Sequence, residues 1–244
     1  MAELAYESEL VKLWCGDAMD VLPGYKTECF DVVVTDPPYG VDFHSDMRKE
    51  SLGKIANDGA DESSRKVVSD ILLECVRLVG QNRHLYVFGP EVLREMDAKV
   101  SAPAELIWVK QEGPGMGDLT SPWGPQHEKI HFYTSLHRHA GKRGKETNPV
   151  RVRKGSVLKA VKPTGLKVRH PSEKPTELLK ELIESSSRGA EVVLDPFSGV
   201  GSTGVAAVLA GRKAILCELE ERYCEIAVER LKKAEQLVRE AATI

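Results

Sequence analysis

The stretch Asp195-Pro-Phe-Ser-Gly199-Val-Gly201-Ser-Thr-Gly204 joins a strand-like apolar run at 191–194 to a helix-like run at 203–209. Gly199, Gly201 and Gly204 satisfy G-x-G-x-x-G, and Glu218 follows 19 residues after the first glycine, ending another strand-like run at 213–217. A strand, a glycine turn, a helix and a second strand ending in an acid form the nucleotide-cofactor fingerprint in its structural setting. Such a unit predicts a mostly parallel sheet covered on both faces by helices, an α/β architecture. After Glu218 the chain is long enough for one helix but not for the remaining strands of a sheet. Strands from the N-terminal part must therefore complete it, so the order of the parts is permuted relative to a dehydrogenase.

The rest of the sequence supplies those strands. Runs at 10–14, 30–35 (FDVVVT), 84–88 and 106–109 read as buried strands. Helical spacing appears over 64–79, with Gly80 as its stop, and again from Ser172, with Pro175 in the first turn and Gly189 after the end. A last helix starts near Glu221, while 40–64 reads as a long polar loop. The length of 244 residues and 41% hydrophobic content suit one large domain. No apolar run approaches the roughly 18 residues of a membrane span, and the first residues lack a signal peptide's basic start and apolar stretch. The five cysteines include no C-x-x-C pair, so they are expected to be reduced, buried side chains of a cytoplasmic protein.

Charge distinguishes between the cofactors that a glycine loop can hold. A nicotinamide dinucleotide places its pyrophosphate against the loop, yet Asp195 stands at the strand tip just before it. S-adenosylmethionine carries no phosphate. Its ammonium and sulfonium are positive, and its ribose still finds an acceptor in Glu218. The pattern favours S-adenosylmethionine, with an NAD-dependent oxidoreductase as the rival reading. Charge is also segregated along the chain. From Arg138 to Arg169 there are eleven Lys/Arg and one acid, so this segment carries +10 in a chain of net charge −3. A solvated basic face would look like this, and so would a contact for nucleic acid.

Asp36-Pro37-Pro38-Tyr39 follows the FDVVVT run. Two prolines fix the backbone and remove two N–H donors, so the corner offers a carboxylate, carbonyl acceptors and an aromatic face. These parts suit a planar base with an exocyclic amine. Tyr39 would stack on the base while Asp36 and the Pro37 carbonyl accept the amino hydrogens. D-P-P-Y, the downstream His170-Pro-Ser-Glu-Lys-Pro175 and the D-P-F-x-G-x-G loop together resemble the permuted β class of DNA amino-methyltransferases. Matching stretches cover somewhat over half of the chain.

The resemblance implies a Rossmann-like methyltransferase fold in a single catalytic domain, with a small target-recognition insertion at about 111–168. It implies contacts to S-adenosylmethionine from Asp17 (adenine), Glu218 (ribose), and Asp36, Asp195, Phe197, Gly199, Gly201 and Thr203 around the methionine and ribose. Ser172 and Lys174 would lie near the methionine carboxylate. Val200 and Ser202 depart slightly from the usual D-P-F-x-G-S-G-T-T. Double-stranded DNA is the implied partner, with Arg138, Lys142, Arg143, Arg151, Arg153 and Lys154 as phosphate contacts. The reaction implied is methyl transfer to a flipped base, with adenine N6 favoured by the leading Asp and cytosine N4 as the alternative. A homodimer and a restriction-endonuclease partner both remain open, as does RNA as a weaker substrate.

Two other signals point elsewhere and carry less. His127-Glu128-Lys129-Ile130-His131 spells H-E-x-x-H, which binds zinc only on a helix. Ile130-His131-Phe132-Tyr133-Thr134 is rich in strand formers, and on a strand the two histidines would be about 13 Å apart, so no metal is expected. No cysteine follows a proline, which argues against covalent attack on cytosine C6.

Overall fold

The computed structural model describes residues 1–38, 62–89, 100–101, 104–110, 122–124, 126–135, 154–161 and 173–242. Its strands are β1 (Glu3–Glu7), β2 (Val11–Cys15), β3 (Phe30–Thr35), β4 (Val79–Phe88), β5 (Ala104–Val109), β6 (His127–Thr134), β7 (Val157–Lys159), β8 (Val192–Asp195) and β9 (Lys213–Glu218). Its helices are α1 (Ala18–Val21), α2 (Glu62–Leu78), α3 (Thr176–Ser186), α4 (Ser202–Leu209) and α5 (Glu221–Ala242).

Among the described residues the strands form one nine-stranded sheet in the order β1-β2-β9-β8-β3-β4-β6-β5-β7. The run β2-β9-β8-β3-β4 is parallel throughout, and so is the β5/β7 pair. β1 and β6 run antiparallel to their neighbours. The N-terminal strands flank the C-terminal pair, β2 beside β9 and β3 beside β8, which is the permuted arrangement.

The sequence of β3 shows why the centre is a parallel sheet. Val32 and Val34 enter one core with the buried faces of α3, α4 and α5, while Val33 enters a second core with α2. A strand covered on both faces needs apolar residues at every position, and β-branched valines suit the pleat. Helix α3 buries Leu178, Leu179, Leu182 and Ile183, a single stripe at helical spacing. At the end of the sheet opposite the glycine loop, Arg83 bridges Asp31 and Glu191 at 2.9 Å each, tying β4 to β3 and to the residue before β8.

Several boundaries differ from expectation. Gly80 does not stop a helix followed by a loop. Helix α2 ends at Leu78 and β4 begins at Val79, with Gly80 inside the strand. Pro175 is the N-cap of α3 rather than part of its first turn, with an extended backbone (φ −61°, ψ 129°), and Ser172 lies outside the described residues. Strands β1 and β7 and the short α1 were not foreseen. Both β6 and β7 fall within 111–168, and both are strands of the common sheet. Trp108, fully buried, fastens β7's flank by donating from Nε1 to the Ala160 carbonyl at 2.8 Å. No helix among the described residues is long and apolar enough to cross a membrane.

Candidate active site

The parallel register brings the ends of four strands to one edge. Cys15 of β2 lies opposite Glu218 of β9, Leu216 opposite Asp195 of β8, and Leu194 opposite Val33 of β3. Asp17, Glu218, Asp195 and Asp36 therefore stand along this edge in strand order. From β8 the chain passes through α4 to β9 on one side, and from β3 through α2 to β4 on the other. Helices α4 and α2 pack into opposite cores, so the order reverses between β8 and β3. Ligands of open α/β sheets bind at such a point, outside the carboxyl ends of the strands. Thr35 Oγ1 donates to Asp195 Oδ1 at 2.8 Å across it.

The glycine loop is built by close approach. Gly201 sits at φ 74°, a left-handed conformation that side chains disfavour, and a Cβ there would fall 2.9 Å from Ala227 Cβ. Arg230 of α5 secures the loop. It donates to the Val200 carbonyl at 2.6 Å and to Ser202 Oγ at 3.0 Å, and it pairs with Glu173 at 2.9 Å. Sequence reasoning missed Arg230, which looks like any exposed cation of an amphipathic helix.

Each acid of the edge has its own environment. Glu218 accepts from Gly199 N at 2.7 Å and from Glu220 N at 2.9 Å, but burial dominates and pushes its carboxyl up to about 7. Asp195 accepts from Thr35 and, at 3.1 Å, from Phe197 N. Burial again prevails over these donors and over Thr203, pushing it up to about 6. Asp17 is exposed and caps α1 by accepting from Met19 N at 2.9 Å. Phe197 is half-buried against the α2 core, and Thr203 is buried in the first turn of α4.

Asp36 meets Lys174, whose Nζ lies 2.6 Å from Oδ2. The same ammonium lies 3.3 Å from Glu128 Oε2 and 5.1 Å from the centre of the Phe88 ring. Lys110 Nζ pairs with Glu128 Oε1 at 2.6 Å. Burial alone would lower the Lys174 pKa, yet Asp36 and Glu128 outweigh it and the pKa is raised, so the side chain stays cationic.

The structure thus brings together Asp17, Asp36, Pro37, Pro38, Lys174, Asp195, Phe197, Gly199, Gly201, Thr203 and Glu218 at one edge. Tyr39, Ser172, Arg138, Lys142, Arg143, Arg151 and Arg153 lie outside the described residues. Lys154 is described, and its Nζ pairs with Glu181 of α3 at 3.2 Å. The H-E-x-x-H residues lie on strand β6, with His127 exposed and His131 buried.

The donor set also tests the cofactor. Gly199 N, an amide that would face a pyrophosphate in a dinucleotide site, is already given to the Glu218 carboxylate. A phosphate there would meet two buried acids. A cationic, phosphate-free nucleoside meets acceptors instead, so the residues present fit S-adenosylmethionine.

Comparison with known proteins agrees with this geometry. The profile of the DNA methylase family (N6/N4 methyltransferases) matches residues 30–229. The type II methyltransferase M.HinfI of Haemophilus influenzae is 26% identical over 89% of this chain and 67% of its own length. A solved structure of the M1.HpyAVI–SAM complex superposes with a TM-score of 0.65 at 20% identity, covering 91% of this chain and 99% of the other. The PvuII DNA methyltransferase, described as cytosine-N4-specific, gives a TM-score of 0.65 at 16% identity over 96% and 93% of the two chains.

Proposed function

The chain belongs to the N6/N4 DNA methylase family, and on that premise we propose that it methylates the N6 amine of adenine in duplex DNA. The observation that carries this reading is the contact between the two half-sites. The strand that leads into Asp36-Pro37-Pro38 is hydrogen-bonded through Thr35 to Asp195, the acid that opens the cofactor loop. A base held by the first lies beside a cofactor held by the second.

S-adenosylmethionine, when bound, supplies an electrophilic methyl group on a sulfonium. Glu218 would hold the ribose, Asp17 the adenine, and Asp195 with Phe197, Gly199, Gly201 and Thr203 the remainder. Asp36 and the Pro37 carbonyl accept the two amino hydrogens, which keeps lone-pair density on the nitrogen as it attacks. Tyr39 stacks on the base, a contact worth about 1–3 kcal/mol. The amine is buried in the duplex stack, so the base must flip out to reach this corner. The basic residues of 138–169, Arg138, Lys142, Arg143, Arg151, Arg153 and Lys154 among them, are assigned to the phosphates.

Cytosine N4 is the second reading. It draws on the likeness to the PvuII enzyme, while the leading Asp of D-P-P-Y favours adenine. Incubation with S-adenosylmethionine and DNA of mixed sequence, followed by nucleoside mass spectrometry, separates the two. N6-methyladenine is expected from the wild type and none from Asp36→Ala. N4-methylcytosine alone would overturn the adenine assignment, and substantial transfer by Asp36→Ala would remove the corner from the chemistry.

A further inference from the structure

Three charged side chains meet behind the strand tip: Asp36 after β3, Lys174 just before α3 and Glu128 on β6. The Lys174 ammonium lies 2.6 Å from one carboxylate and 3.3 Å from the other. Its side chain is only 7% exposed, so this is not a solvent-screened surface pair. Stability alone gives little reason for such a cluster. Burying charges costs about as much as their attraction returns, and apolar side chains of similar volume often stabilise as well or better. Orientation gives a better reason. The Asp36 side chain projects from the end of a strand into a loop and could otherwise adopt several rotamers. Lys174 immediately precedes Pro175, the N-cap of α3, which restricts its backbone, and its ammonium lies over the Phe88 ring. Glu128 is held in turn by Lys110 at 2.6 Å.

We propose that Lys174, backed by Glu128, is a positioning residue that holds the Asp36 carboxylate oriented and charged for the incoming amino group. The resemblance alone places Lys174 at the cofactor's carboxylate, whereas the geometry places its ammonium on the acid of the base-binding corner. The inference rests on the methyltransferase reading above. Among the described residues, the charges near Asp36 include Lys174 from the segment before α3, Glu128 from β6 behind it, and Asp195 from β8. Lys110, just after β5, acts through Glu128, and β4 contributes the uncharged Phe88. A nearby cation favours an ionised carboxylate and a nearby anion opposes it. Removing Lys174's charge should therefore move the acid limb of methyl transfer to higher pH. Removing Glu128's charge takes a competing carboxylate from Lys174 and should move that limb to lower pH.

The test uses the full chain and measures single-turnover methyl transfer against pH, with cofactor affinity measured in parallel by calorimetry. Lys174→Met should lower the rate at neutral pH about 100-fold, the cost of a misplaced reacting group, with cofactor affinity within about threefold of wild type. Lys174→Arg, which keeps the charge but not the geometry, should recover part of that loss. Glu128→Gln should shift the acid limb in the direction opposite to Lys174→Met. A Lys174→Met enzyme with the wild-type rate, or one whose whole loss lies in cofactor affinity, overturns the proposal. If Lys174→Met does not fold, a Glu128→Gln profile that superimposes on the wild type's overturns it equally. Wild-type protein that methylates no DNA would instead defeat the functional reading itself.

Discussion

Burial sets the protonation of the two acids at the heart of the cofactor edge. Asp195 is 3% exposed and Glu218 9%, and burial pushes them up to about 6 and about 7. Each therefore binds its proton more tightly folded than unfolded. As pH rises from the ordinary carboxylate range through about 7, the folded state loses that advantage and the ligand-free protein becomes less stable. Cofactor cations and ribose hydroxyls favour the ionised forms, so binding must release protons below about pH 7. Affinity for S-adenosylmethionine should weaken as pH falls, by up to about tenfold per pH unit for each proton released. Calorimetry in buffers of different ionisation heat measures the release directly. Constant affinity between about pH 5.5 and about pH 8 would contradict the placement of the cofactor on these acids. The acids themselves were legible in the sequence because each follows an apolar strand that fixes its place at a tip. Their supporting cations were less so. Lys174 and Asp36 are 138 positions apart, and Glu128 sat inside a string that spelled a metal motif. Pairings of that kind follow from strand order, which no local pattern encodes.

Helix α4 shows what the glycine loop requires of the elements around it. A Cβ at Gly204 would fall 2.5 Å from Leu216 Cδ1 of β9 and 2.8 Å from Leu231 Cδ2 of α5. Both leucines are fully buried, so they have little room to give. Gly204→Ala should overpack this junction and destabilise the protein by about 1–3 kcal/mol, read as a lower denaturant midpoint. Gly24→Ala is the control, since nothing lies within 4 Å of its Cβ position, and it should change stability by less than about 0.5 kcal/mol. Equal midpoints for the two variants would mean that α4 does not need its close approach. The same contrast explains which elements the sequence disclosed. β3 matches its expected bounds because all of its six residues but Asp31 are buried, on both faces of the sheet. β1 is largely exposed at the sheet's edge, and β7 buries only Leu158 of three residues. Neither carries an apolar run to announce it. The passage from α2 straight into β4 placed Gly80 in a strand, where a stop signal was the more ordinary local meaning.

At the scale of the molecule, charge of opposite sign is segregated along the sequence. The edge that would hold the cofactor presents Asp17, Asp36, Asp195 and Glu218, and the chain outside 138–169 carries −13. A duplex brought to that edge would be repelled unless another part of the protein met its phosphates, and residues 138–169, at +10, are the stretch proposed for that role. Lys154 forms a half-exposed pair with Glu181 at 3.2 Å, an interaction weak enough to exchange for a phosphate. Each phosphate neutralised releases counterions, so DNA affinity should fall with salt at a log–log slope of about −0.9 per contact. Reversing Arg151, Arg153 and Lys154 together to Glu should weaken binding to every DNA sequence and flatten that slope. Cofactor affinity should not change, because the loop at 195–204 and its partners belong to other elements. Fluorescence anisotropy of labelled duplexes across a salt series reads both quantities. If the triple reversal leaves affinity and slope as they were, the basic segment is a solvated surface and the duplex docks elsewhere.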